Sequence, residues 1–228
     1  MPTNDETKTG LQFVRDFYRG SSAYADHIAS ELLSIIHLET KLDTAIMDAA
    51  LSGKDIVLTG NPGDGKTHVI RLLKDKLEST GKPICIELDA STLSNDDIYS
   101  EWKAAREHNK PFVIAINAAV LYSVYRKYPD FKPIKDAYFQ MSHAVVFHDE
   151  KNESSDLVVF DLSKREVLTA DILKKAIEKL TDTAHYTECS SCPLNETCDV
   201  HKNCSLLNST LFQERLFVIL QRVSMQGY

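Results

Sequence analysis

The sequence predicts an α/β protein with a mostly parallel sheet, and three observations carry that prediction. Asp55-Ile56-Val57-Leu58-Thr59, Pro83-Ile84-Cys85-Ile86-Glu87-Leu88 and Phe112-Val113-Ile114-Ala115-Ile116 are apolar runs of strand length, the pattern of strands covered on both faces. Segments with apolar residues at helical spacing separate them. The first run leads directly into Gly60-Asn61-Pro62-Gly63-Asp64-Gly65-Lys66-Thr67, a glycine-rich turn that opens one of those helices.

The elements follow in order. Residues 1–52 form an N-terminal helical region: Leu11 to Tyr18 and Ala23 to Leu51 carry Ile28, Leu32, Ile35, Ile36, Leu42 and Ile46 at helical spacing, broken near Glu39-Thr40 and ended by Ser52-Gly53. Residues 53–181 form the core. Within it His68 to Thr80 is a helix with Val69, Ile70, Leu72, Leu73 and Leu77 on one period, stopped by Gly81. Asp96 to Asn109 is another, with Ile98, Trp102 and Ala105 inward, and Lys110-Pro111 resets the chain. Beyond Val120 to Tyr128, Pro129 and Pro133 mark a loop, and Ala144–Phe147 and Leu157–Phe160 read as a hairpin or as successive sheet strands. Thr169 to Leu180 is helical. Residues 182–205 are a cysteine-rich insert, and residues 206–228 hold a last amphipathic helix, Leu206 to Met225.

At 228 residues the chain suffices for one large domain, or one domain with a small appendage. With 43% apolar and 26% charged residues it is neither disordered nor low in complexity. The net charge of −7 and pI near 5.6 leave no global basic field for nucleic acid or an anionic membrane, so any such contact is local. No apolar run approaches the ~20 residues that cross a bilayer, and Met1 to Gly10 is polar. A cytoplasmic protein without membrane contact is expected.

Gly60 to Thr67 fits G-x-x-x-x-G-K-[ST] at every fixed position, between a strand and a helix, as a P-loop requires. Gly63 and Gly65 let successive amides curl into one concavity, and the helix N-terminus adds partial positive charge for a polyphosphate. Lys66 supplies a full charge to the β- and γ-phosphates, and the Thr67 hydroxyl is suited to Mg²⁺. The expected ATP-binding set is Asn61, Pro62, Gly63, Asp64, Gly65, Lys66, Thr67 and His68, of which Asn61 and Pro62 only shape the loop. The expected fold is therefore a P-loop NTPase three-layer sandwich. A second Mg²⁺-directed carboxylate is expected at the end of a neighbouring strand. Asp89 is the first candidate, with capping of the next turn as its plainer role, and Asp149-Glu150 is the rival. Asn117 ends the apolar strand Phe112 to Ile116, where it can orient an attacking water or simply cap the helix starting at Ala118. Lys66, Asp89 and Asn117 are the candidate catalytic residues.

The P-loop together with "PFVIAIN" resembles the AAA+ and related additional-strand ATPases. "IELDAS", "PFVIAINAAVL", "LVVFDLSKR" and the Cys-x-x-Cys-Pro insert, in that order, are similar to the DptF-type ATPases of phosphorothioation-dependent DNA restriction. The resemblance covers most of the chain after about Ile56, and only the P-loop is specific by itself. It implies an Asn-tipped strand lying between the P-loop strand and the carboxylate strand. It also implies ATP hydrolysis in a bacterial defence system, other subunits of a defence complex as partners, a homo- or hetero-oligomer, and DNA as a further candidate partner. Two departures stand out. Ala90 follows Asp89 where such ATPases carry a catalytic Glu, and the short spacing from Lys66 to Asp89 leaves the usual edge strand shortened or missing. The family's hydrolytic arginine has candidates in Arg126 and Arg165, both of which read more simply as solvated surface residues.

Four of the five cysteines, Cys189, Cys192, Cys198 and Cys204, follow C-x₂-C-x₅-C-x₅-C. In a reducing compartment such a cluster favours a tetrahedral Zn²⁺ site over disulfides. His201 in place of Cys204, or an iron–sulfur cluster, is the alternative. The segment is not basic, so structural stapling is a simpler role than DNA docking. Cys85 and Trp102 read as core. Against an ATP-hydrolysing switch stand a nucleotide-sensing or DNA-binding module with little turnover and, more weakly, a small-molecule kinase, which would need a lid with several arginines.

Overall fold

The computed structural model describes residues 37–81, 84–87, 90–143, 156–166 and 168–225. They group into two compact units, one of residues 39–165 and one of residues 37–38 and 166–225. Eight α-helices and four strands occur among the described residues.

In the first unit the order is α1 (Lys41–Leu51), β1 (Asp55–Thr59), α2 (Lys66–Thr80), β2 (Cys85–Glu87), α3 (Asn95–Glu107), β3 (Phe112–Ala115), α4 (Ala118–Lys127), α5 (Lys132–His143) and β4 (Leu157–Asp161). All strand pairs are parallel, and the sheet order is β2-β3-β1-β4. Ile56 pairs with Val113 on one side and with Val158 on the other, which puts β1 in the interior of the sheet. The five residues of β1 and the four of β3 are buried throughout.

Period-two alternation divides these residues between two apolar layers. Val57, Phe112, Ile114 and Ile116 pack with Ile98, Trp102 and Ala105 of α3, Leu121 and Val124 of α4, and Ile134 and Ala137 of α5. Ile56, Leu58, Val113 and Ala115 pack on the opposite face with Ile46 and Ala50 of α1 and with Val69, Ile70, Leu73 and Leu77 of α2. Helices thus cover both faces of an all-parallel sheet. Each such aliphatic side chain contributes roughly 1.5–3 kcal/mol by leaving water, so the two layers dominate the stability of this unit.

Several expectations meet the structure directly. The break near Glu39-Thr40 is a helix start: Thr40 caps α1, and its N–H and hydroxyl donate to the Asp43 carboxylate at 2.7 and 2.6 Å. Ile98, Trp102 and Ala105 are the buried residues of α3, whose cap Ser94 accepts from Asp97 N–H. The loop expected at Pro129 and Pro133 is instead only residues 128–131, because Pro133 is the second residue of α5. There its missing N–H would have no helical acceptor. Leu157–Asp161 is not a hairpin arm with an antiparallel neighbour in the described sheet. It runs parallel to β1 over five residue pairs. Ala144–Phe147 and the pair Asp149-Glu150 lie outside the described residues, as do Asp89 and the N-terminal region before residue 37.

The second unit holds α6 (Ala170–Leu180), 3-10 turns over Thr183–Ser191 and Asn195–Thr197, α7 (Asp199–Leu207) and α8 (Thr210–Met225). The single helix expected over Leu206–Met225 is interrupted at Asn208-Ser209. The Asn208 amide donates to the Cys204 carbonyl and to the Thr181 hydroxyl, and Ser209 Oγ accepts from Phe212 N–H, so these side chains end one helix and start the next. No helix among the described residues is long and apolar enough to cross a membrane.

Candidate functional site

β1 ends at Thr59 and the chain turns at once through Gly60–Gly65 into α2. Gly63 and Gly65 have φ of 89° and 86°, which residues with a Cβ adopt only under strain, and this lets the loop curl back over the strand end. Gly60 is required for a second reason. A Cβ on it would stand 2.7 Å from Asp64 Oδ2, 3.1 Å from Ser163 N and 3.3 Å from Leu162 Cβ. The segment that follows β4 therefore lies directly on the first glycine of the loop.

The loop is held by its own side chains. Lys66 Nζ donates to the carbonyls of Gly60 at 3.0 Å and Asn61 at 2.8 Å. Asp64 Oδ2 accepts from Asn61 N–H at 2.6 Å, and Asp64 N–H donates to the Asn61 carbonyl at 3.2 Å. The lysine charge thus rests on neutral acceptors, which an anionic oxygen can replace with gain. Thr67 and His68 are half-buried in the first turn of α2.

Sheet order determines what lies beside the loop. The chain leaves β1 toward β3 and β2 and returns to β4 on the opposite side, so β1 sits where the winding reverses, and ligands of open parallel sheets bind at the carboxyl end of such a point. A cavity of about 490 Å³ opens there, lined by Thr59, Gly60, Asn61 and Pro62, by Asn117 to Ala119, by Met141 and Ser142, and by Asp161 and Ser163. The ends of β1, β3 and β4 all reach it.

Asn117 is the helix cap that was one of the two roles expected for it, and it also faces the cavity. It lines the cavity, and its Oδ1 accepts from Val120 N–H at 2.9 Å as the N-cap of α4. The cap uses the carbonyl oxygen and leaves the amide N–H groups out of that bond. β3, whose last residue Ala115 stands two before Asn117, lies between β1 and β2. Asp89, two residues beyond β2, is not described, so the structure brings Lys66, Thr67 and Asn117 to one strand edge and is silent on the carboxylate.

Two further residues belong to this edge, Asp161, which sequence reasoning did not single out, and Arg165, which it named only as a candidate hydrolytic arginine. Asp161, the last residue of β4, lines the cavity and accepts from Ser163 N–H and Oγ at 3.1 and 2.6 Å. Arg165 is not the solvated surface residue expected from the sequence. Its Nη2 donates to the Asp64 carbonyl at 3.3 Å, and its Nε is buried without a hydrogen-bond partner among the described residues. The stretch "LVVFDLSKR" contained both, but only the parallel pairing of β4 with β1 sets them against a loop 101 residues earlier. Arg126 is exposed on α4, where it lines a separate shallow cavity with Asn95, Tyr122, Ser123 and Lys127.

The four clustered thiols are not assembled. Among the described residues no group of three His, Cys, Asp or Glu side chains is arranged to hold a metal ion, and none of the five cysteines is in a disulfide. Cys192 N–H donates to the Cys189 carbonyl at 3.1 Å, closing the Cys-x-x-Cys turn, yet Cys189 is buried and Cys192 exposed. Tyr186 lies against two of these thiols. Burial and a hydrogen bond with the Cys204 thiol push its phenol up to about 12, with Cys189 close enough to add to the effect. Its hydroxyl donates to the Leu180 carbonyl at 2.9 Å. No metal-holding group among the described residues includes His201 either.

No protein-family model matches the chain, and neither a curated protein nor a solved structure is significantly similar to it.

Proposed function

We propose that this protein binds ATP at the loop Gly60 to Thr67 and hydrolyses it, as a module of a bacterial DNA restriction system that works with other subunits. One observation carries the ATP reading. A G-x-x-x-x-G-K-T loop follows the interior strand of a parallel sheet, with its lysine on replaceable carbonyls and a cavity beside it tipped by Asn117. The order β2-β3-β1-β4, with the Asn-tipped strand between β1 and the strand leading to Asp89, is the order that an additional-strand ATPase lacking one edge strand would have. The defence assignment rests on the sequence stretches that resemble DptF-type ATPases.

In this reading the loop amides and the α2 N-terminus hold the α- and β-phosphates, and Lys66 leaves its carbonyls for the β- and γ-phosphates. Asn117 orients a water toward the γ-phosphorus. Water adds there, the bond to the β–γ bridging oxygen breaks, and ADP, phosphate and a proton are released. Thr67 would hold Mg²⁺, with Asp89 as its expected second contact, and the bound ion would supply neutralising charge for the phosphates.

The second reading, a nucleotide sensor with little turnover, is favoured by Ala90. The residue after Asp89 is thus an apolar one, fully buried, where a catalytic carboxylate would be needed. Calorimetry with Mg·ATP on wild type and Lys66→Ala, followed by single-turnover assays with and without DNA, tests both. At least a 100-fold loss of affinity in Lys66→Ala, with ADP formed by wild type, is expected. ATP binding without ADP supports the sensor, and no ATP binding by wild type refutes both.

A further inference from the structure

We propose that Arg165 is a positioning residue for the phosphate loop, holding the Asp64–Gly65 peptide so that the Gly65 N–H faces a bound polyphosphate. The inference rests on the nucleotide reading and adds to it a residue from the far side of β1.

The side chain starts from a fixed point. β4 ends in Asp161, whose Oδ1 accepts from Ser163 N–H, and Arg165 N–H donates to the Leu162 carbonyl at 3.1 Å, closing the 3-10 turn Leu162–Lys164. That turn is seated on the loop itself, with Ser163 N and Leu162 Cβ within 3.1 and 3.3 Å of the Cβ position of Gly60. From there the guanidinium reaches the other end of the loop and donates from Nη2 to the Asp64 carbonyl at 3.3 Å. The four residues after β4, Leu162 to Arg165, therefore touch both the first glycine of the motif and the residue before its second glycine.

The consequence follows from peptide geometry. No described peptide bond is cis, and in a planar trans unit the C=O of one residue and the N–H of the next point in opposite directions. With the Asp64 carbonyl drawn toward Arg165, the Gly65 N–H is directed away from it. Gly65 itself, at φ 86° and with nothing within 4 Å of its Cβ position, would otherwise let this peptide rotate. The charge matters as well. Arg165 makes no ion pair within 4.0 Å among the described residues, and its Nε is buried without a partner, so its field is not cancelled where an anion would bind.

The test is calorimetry of Mg·ATP and Mg·ADP with wild type, Arg165→Ala and Arg165→Lys, alongside thermal unfolding. The Gly65 N–H belongs to the group of amides that cradle the α- and β-phosphates, so Arg165→Ala should weaken ATP and ADP equally, by about tenfold. Arg165→Lys, which retains a cationic donor, should recover to within about threefold of wild type. If Arg165→Ala does not fold, the Lys variant and Arg165→Gln, which has a donor but no charge, carry the comparison, with Gln the weaker binder. A loss confined to ATP would make Arg165 a γ-phosphate contact and overturn the proposal, as would affinities within twofold of wild type for both nucleotides. Wild type that binds neither nucleotide would instead remove the nucleotide reading beneath it.

Discussion

At the amino end of β1 the carboxylate of Asp55, 1% exposed, is met by donors from three directions, while at the carboxyl end the loop, Asn117 and Arg165 hold donors that the protein does not use up. Asp55 Oδ2 accepts from Trp102 Nε1 at 2.7 Å and lies 2.9 Å from Arg106 Nε, an ion pair not aligned as a hydrogen bond; Oδ1 accepts from Phe112 N–H at 2.9 Å. Trp102 in turn stacks on Phe112 at 5.3 Å, so one carboxylate ties α3 and β3 to β1. The other end has the opposite arrangement, in which Lys66 rests on two carbonyls and Arg165 on one. Both ends place charge near a buried strand. Donors spent on a buried acceptor make that acceptor costly to remove, whereas charge resting on neutral acceptors is available to a ligand.

The largest effect expected from this contrast is on stability. Asp55→Ala leaves the Trp102 and Phe112 donors and the Arg106 cation without their acceptor, and should cost about 3–5 kcal/mol in denaturant unfolding. Nucleotide affinity of the folded fraction should stay within about twofold of wild type. A stable Asp55→Ala protein with impaired ATP binding would break the division between the two ends.

Asn117 sharpens the division, because it serves both purposes with different atoms. Asp caps helices about as well as Asn, while Ala does not. Asn117→Ala should therefore lose about 1 kcal/mol of stability and slow ATP turnover by roughly 10–100-fold. Asn117→Asp should retain the cap, with Oδ1 still accepting from Val120 N–H, and show the same loss of turnover because its amide donor is gone. Equal turnover in Asn117→Asp and wild type would reduce Asn117 to a cap.

How far the sequence was legible follows from the range of each signal. β1, β3 and the inward residues of α3 were readable because burial on both faces writes local, contiguous patterns. The loop was readable because its glycines and lysine are contiguous too. Trp102 read only as packing because its partner, Asp55, is 47 residues away, and Arg165 read as surface because its acceptor is 101 residues away. Pro133 misled because a proline marks a loop or a first helical turn with equal ease. In the cysteine segment the spacing resembled a metal motif, but spacing does not state which side chains turn inward. α7 has no buried residue, and Leu211, Val218, Ile219 and Val223 of α8 are exposed, so these helices show little apolar packing among the described residues.

The smallest effect concerns pH and tests how Asp55 is held. Burial raises its carboxyl above the ordinary 3.8, and the hydrogen bonds from Trp102 and Phe112 and the charge of Arg106 offset this only in part. The folded state then binds this proton more tightly than the unfolded chain. The resulting stability is fully present below pH 3.8 and is lost as pH rises through the higher folded value. Asp96 runs the other way, since the hydrogen bond from Lys127, and then that from Tyr128, lowers its carboxyl. A bare pH profile therefore mixes the two. The difference between wild type and Asp55→Asn cancels Asp96 and every other shared group. That difference should shrink as pH rises above about 4, by less than the roughly 1.4 kcal/mol per pH unit that one proton allows. A difference that grows with pH would mean that Arg106 and the two N–H donors outweigh burial, and Asp55 would then be held ionised rather than kept from ionising.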